Sequence, residues 1–130
     1  MARTMTSADP IPRLKAMADA LRFRILNVLQ DGEICVGDLV ALLGAPQPTV
    51  SRHLGILKRA GLVRVRRSGL WAFHDLEREG DAIHAALLAA LEAGAATPLH
   101  VADRQKGRRL RTTDGCCPER GDESPCGSRS

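Results

Sequence analysis

The chain has 130 residues, which is enough for one domain with a modest core and too few for two. Its formal net charge is +4, and with no Tyr, two Phe and one Trp it lacks the aromatic platforms on which single-stranded nucleic acids stack. No apolar stretch near the N-terminus fits a signal peptide, and the longest apolar run, around Ala85 to Leu91, is far too short to span a bilayer; a cytoplasmic protein with no membrane partner is expected.

Ile11 to Met17 is predicted as a first helix. Ala20 to Leu29 follows as a second, with Leu21, Ile25, Val28 and Leu29 spaced for burial and Asp31 and Gly32 ending it. Val36 to Leu43 (VGDLVALL) makes a short third helix, and Gly44, Ala45 and Pro46 supply a tight turn. The next stretch, Pro46 to Val63 (PQPTVSRHLGILKRAGLV), is the most informative in the chain. Val50, Leu54, Leu57 and Leu62 recur at three- to four-residue steps with Ile56 beside them, so that face packs inward. Gln47, Thr49, Ser51, Arg52 and His53 are then expected to face out, and short polar side chains with one Arg at a helix start suit the base edges of a major groove. The two helices form a helix-turn-helix, and duplex DNA is the expected partner.

Val63 to Arg67 and Leu70 to His74 alternate as two short strands around a polar Ser68-Gly69 turn, a β-wing whose Arg64, Arg66 and Arg67 are placed to meet phosphates. From Leu39 to His74 there are six basic residues and no acidic one, which marks a local basic surface rather than a mixed solvated face. Asp81 to Ala96 is Ala/Leu-rich and nearly without polar positions, a helix most simply buried against a second copy of itself. Beyond Pro98 the composition turns to Arg, Gly, Asp, Ser and Pro, so residues 1–98 are expected to be the folded DNA-binding and dimerisation domain and 99–130 a flexible tail. The fold class that follows is mainly α with a small β-hairpin, a winged helix-turn-helix with an α-helical dimer interface.

Three of the four cysteines lie in that tail, in GCCPERGDESPCG. A reducing compartment argues against a disulfide framework and for free thiols, a metal site or a redox switch. Cys116 and Cys117 offer adjacent sulfurs, and bringing Cys126 back to them costs on the order of 2 kcal/mol in loop entropy. Thiolate bonds to a soft ion outweigh this easily, given roughly 10–16 kcal/mol for structural zinc in peptides. Three thiolates with no clear fourth protein ligand suit a trigonal-pyramidal ion, trivalent arsenic or antimony, better than tetrahedral zinc. Cys35 is expected to be a small buried residue rather than a ligand. His53 and His74 are expected at the DNA face or in structural roles, not on a metal.

Leu14 to Leu76, with its QPTVSRHL and LKRAGLV segments, resembles the ArsR/SmtB winged-helix family of metal- and metalloid-sensing repressors. The resemblance covers about half the chain. It implies a homodimer whose first and last domain helices form the subunit interface and whose two recognition helices enter successive major grooves of a palindromic operator. It also implies an inducer such as trivalent arsenic. In the arsenic-responsive branch the segment similar to EICVGDL reads ELCVCDL; here Gly37 stands where the second Cys would be, so that site is broken and the ligands are expected at Cys116, Cys117 and Cys126. The family's zinc site between the last helices is poorly matched, with Gly94, Ala95 and Ala96 in the later turn. The expected function is a repressor of an arsenic-resistance operon that leaves operator DNA on binding arsenite, an organoarsenical or antimonite. A thiol-redox repressor using the same DNA face is the rival, and no phosphate loop, nucleophile elbow or HExxH speaks for an enzyme.

Overall fold

Residues 9–114 are described by the computed structural model, and within them three helices start at residues whose side chains satisfy free amide groups. Asp19 accepts from the Leu21 and Arg22 amides at the head of α2 (Ala20–Leu29). Asp81 does the same for His84 at the head of α5 (Ala82–Gly94), and Thr97 for His100 at the head of α6 (Pro98–Arg109). Helices α1 (Ile11–Met17) and α4 (Gln47–Arg59) instead carry a proline in the first turn, where no helical hydrogen bond is lost. α3 (Val36–Leu43) ends at Gly44, whose φ of +68° is a left-handed cap that lets the chain turn directly into α4.

The core gathers Ile25, Val28 and Leu29 of α2, Leu39 of α3, and Val50 and Leu57 of α4, all fully buried. Each such side chain stabilises the fold by roughly 1.5–3 kcal/mol relative to leaving it in water. Three strands edge this core in the order β1-β3-β2, all antiparallel: β1 (Ile34–Cys35), β2 (Val63–Ser68) and β3 (Trp71–Leu76). Ser68 pairs with Trp71, so the hairpin turn is Gly69-Leu70 and not Ser68-Gly69. The one-residue shift has a physical reason. The first central position of this turn needs a positive φ, and Gly69 takes +62°. β1, two residues long, was not predicted because it is too short to show alternation.

The stretch after Pro98 departs from the expected flexible tail. Residues 98–109 form α6, followed by a π-helical turn at Leu110–Asp114. Polar contacts hold it rather than an apolar face: Arg24 grips Asp103 through Nε (2.8 Å) and Nη2 (3.1 Å), Arg104 grips Asp31 at 2.7 and 3.0 Å, and Asn27 donates to the His100 carbonyl at 2.9 Å. Cys116, Cys117 and Cys126 lie outside the described residues. Helix α5 turns Leu87 and Leu91 inward but leaves Ala85, Ala86, Ala89, Ala90 and Ala93 exposed, and on α1 Ile11 and Leu14 are about half exposed. Among the described residues no single helix is long and apolar enough to cross a membrane.

Candidate nucleic-acid interface

Val50, Leu54 and Leu57 anchor α4 in the core and thereby aim its opposite face outward. Ser51 and Arg52 are exposed there, Gln47 and Thr49 are half-buried at the helix start, and Lys58 and Arg59 are exposed at its end. His53 is not on this face. It is 9% exposed and lies on the inward stripe with Val50, Leu54 and Leu57, a placement that the i, i+3, i+4, i+7 spacing itself carried. Its Nδ1 lies 3.0 Å from Arg22 Nη1, so Nδ1 accepts from the guanidinium and the ring proton sits on Nε2. Arg22 also donates to the Ala16 carbonyl, tying α1, α2 and α4 together at one point. Burial pushes the His53 pKa down; the Asp19 carboxylate opposes this, while the Arg52 and Arg22 charges add to it.

The three wing arginines have separate fates. Arg66 is clasped by Glu33, Nε to Oε1 at 3.1 Å and Nη2 to Oε2 at 2.7 Å, and lies 4.6 Å above the Phe73 ring. Arg64 sits 3.7 Å from Asp75. Arg67 is exposed and has no carboxylate partner among the described residues. Between α4 and the wing runs a cleft of about 350 Å³ lined by Gln47, Ser51, Lys58, Arg67 and His74, with two cations and no carboxylate. His74 is 9% exposed with no hydrogen-bond partner for Nδ1 among the described residues, and burial, reinforced by the Arg67 and Lys58 charges, lowers its pKa to about 4. The ring is therefore neutral near pH 7, and the positive potential of the cleft comes from Lys58 and Arg67. This shape and charge fit the sugar-phosphate edge of a duplex.

Cys35 caps the start of α3, is 1% exposed and is disulfide-bonded. It is buried as expected, but it is not an inert small residue. Among the described residues no cluster of three or more His, Cys, Asp or Glu could hold a metal ion. Sequence reasoning also missed Arg111, which donates to the Val28, Gly32 and Glu33 carbonyls at 2.9, 2.6 and 3.0 Å. Nothing in a linear pattern links a basic residue to carbonyls some 80 positions earlier.

The profile described as "Bacterial regulatory protein, arsR family" matches residues 19–65, which hold α2, β1, α3, α4 and the start of the first strand of the wing. The arsenical resistance operon repressor of Escherichia coli is 41% identical over 68 residues, 52% of this chain and 58% of that protein. Among solved structures, reduced HlyU from Vibrio cholerae superposes with a TM-score of 0.59 at 33% identity, covering 72% of this chain and 96% of that one. The homodimeric winged helix-turn-helix DNA-binding domain Mb0332 from Mycobacterium bovis, described as a possible ArsR-family transcriptional regulator, gives 0.55 at 30% identity and covers 64% and 74%. The chain spans roughly half to two-thirds of the length of the curated relatives it matches.

Proposed function

Because the chain belongs to the ArsR family of transcriptional regulators, we propose that it is an arsenic-responsive repressor, a homodimer that binds operator DNA through α4 and the wing and leaves it when trivalent arsenic or antimony binds cysteine thiolates. The observation that carries the DNA half is the acid-free outer face formed by Gln47, Thr49, Ser51 and Arg52, with Lys58 at the end of the same helix and Arg67 across the cleft. Similarity to the Escherichia coli arsenical resistance repressor and the thiol-rich segment with Cys116, Cys117 and Cys126 support the inducer. The exposed alanine face of α5, with Ile11 and Leu14 of α1, fits burial against a second copy, and the Mycobacterium bovis relative is homodimeric.

Arg52→Ala is expected to cost roughly 1–3 kcal/mol of operator affinity and to relax sequence preference if it contacts a base edge. Fluorescence anisotropy on operator and scrambled duplexes measures both; equal weakening on the two would make it a phosphate contact. On the wing, Arg67→Ala should flatten the log-log salt dependence of binding by about one unit, whereas Arg66→Ala should flatten it less because Glu33 already neutralises that charge.

The disulfide at Cys35 favours a second reading, a thiol-redox repressor on the same DNA face. Operator release from the reduced protein by arsenite, set beside release by hydrogen peroxide, separates them. Release by peroxide alone would replace the arsenic reading with the redox one.

A further inference from the structure

The last carbonyls of a helix have no partner inside it and form the negative end of its dipole, so a guanidinium placed there is at once donor and counter-charge. Two distant arginines serve the end of α2 in this way. Arg78, which follows β3, donates through Nη2 to the Leu29 carbonyl at 3.0 Å and the Gln30 carbonyl at 3.5 Å. Arg111, in the π-helical turn after α6, donates through Nη2 to Val28 at 2.9 Å and Gly32 at 2.6 Å, and through Nε to Glu33 at 3.0 Å. Its seat is closely fitted: a Cβ added at the buried Gly107 would come within 3.1 Å of both Arg111 Nη1 and Val28 Cγ1. Leu110 packs on the core beside it, and the Arg104–Asp31 pair fixes the helix that leads into the turn.

Glu33 passes this anchoring to the wing. Its carbonyl accepts from Arg111, and its carboxylate holds Arg66 of β2 at 2.7 and 3.1 Å. The next two residues are β1, paired with His74 and Phe73 of β3, and Val36 then opens α3. A strand of two residues has too few ladder bonds to fix its own position, so the groups at its ends decide where it lies.

We infer that Arg111 is a positioning residue for DNA binding: held at the end of α2, it sets the Glu33 backbone, Glu33 sets Arg66, and the turn at Leu110–Asp114 thereby braces the wing. This rests on the reading that α4 and the wing bind duplex DNA, and adds to it a residue that acts without touching the duplex. Without the guanidinium, the carbonyls of Val28, Gly32 and Glu33 lose their common donor and the link between α2 and β1 is free to shift. The Glu33 carboxylate is then no longer presented at a fixed place beside β2. Arg66 samples several rotamers, and the wing must be ordered anew at each encounter with a duplex.

The test uses the full chain and a duplex that the wild-type protein selects from a random-sequence pool, with binding followed by fluorescence anisotropy and wing order by hydrogen exchange. Arg111→Met keeps the aliphatic stem and removes the donors. It should weaken binding about tenfold, within the range for residues that modulate a site without contacting its ligand. Exchange should quicken in β1 and in the wing, while α4 stays as protected as in the wild type, because local opening moves only its own amides. In an Arg66→Ala background the same change should weaken binding less than about twofold, since the residue it acts through is gone. Arg111→Lys, the milder variant, keeps a cation at the helix end without the planar fork and should show a smaller loss with the same dependence on Arg66. Binding unchanged by Arg111→Met, or an equal loss with and without Arg66, would overturn the inference and leave the DNA-binding reading standing. Exchange quickened in α4 as much as in the wing would reduce Arg111 to a general stabiliser and overturn it as well. A wild type that enriches no duplex from the pool would overturn the DNA-binding reading itself.

Discussion

Asp103→Ala is expected to lower the unfolding free energy by about 3 kcal/mol, at the low end of the 3–5 kcal/mol typical for breaking a buried ion pair. The carboxylate is 1% exposed and receives two hydrogen bonds from Arg24 at 2.8 and 3.1 Å. Those bonds raise the Arg24 pKa in the intact pair; with Asp103 gone the guanidinium still stays charged, because the group is not deprotonated in a protein. An unpaired cation facing the α2–α6 contact is the source of the cost; the Arg24 side chain is 22% exposed and recovers part of it through water, which sets the low end. Urea unfolding at fixed protein concentration measures it. Asp103→Asn, which keeps an acceptor, should cost less, and Arg24→Met with Asp103→Leu should regain most of the loss. A change under 1 kcal/mol for Asp103→Ala would mean that α6 is not held by this pair.

Acidification should destabilise the protein as soon as the pH falls below about 6.5. The His74 pKa falls from 6.5 to about 4 on folding, so the unfolded chain takes up a proton that the folded chain refuses. Its contribution is present in full above pH 6.5 and is lost as the pH falls through 6.5 toward 4, amounting to on the order of 3 kcal/mol at 1.36 kcal/mol per unit. His53, also lowered by burial, acts with the same sign. Asp19, Asp31 and Asp81 have folded pKa values below 3.8, lowered mainly by the Arg22 amide, by Arg104 and by Arg13, so their contributions are lost only at lower pH. Melting temperatures between pH 7 and 4.5 should therefore drop steeply in the wild type and much less in His74→Phe, which keeps the ring volume without the titrating nitrogen. Parallel pH profiles for the two proteins would remove His74 as the cause.

Helices α1 to α4 were legible because burial on one side of a helix imposes a 3.6-residue period, and because Gly44 can turn the chain where a side-chain residue cannot. The wing was legible too, its turn misplaced by one residue until the positive φ of Gly69 fixed the register. What escaped was polar and long-range. α6 is docked by pairs such as Arg24–Asp103 and Arg104–Asp31, 79 and 73 residues apart, which leave no apolar stripe behind. Likewise the run from Leu39 to His74 without acids concealed that Glu33 and Asp75, just outside it, reach in to Arg66 and Arg64. His53 was legible in principle, because its spacing from Val50 and Leu57 placed it on the inward stripe.

The clasp on Arg66 bears on how the wing meets its partner. A long flexible cation that becomes ordered only on contact loses about 0.5–1.5 kcal/mol of rotamer freedom at that moment. Here Glu33 and Phe73 fix the side chain during folding, and the pairing of β1 with β3 braces the strand beneath it. The entropy is lost once, by the free protein, and is not charged again at each encounter. If the wing meets a duplex as proposed, its approach would be a docking of pre-shaped bodies rather than a search among wing conformers, with Arg66 serving the geometry of arrival more than the displacement of counterions.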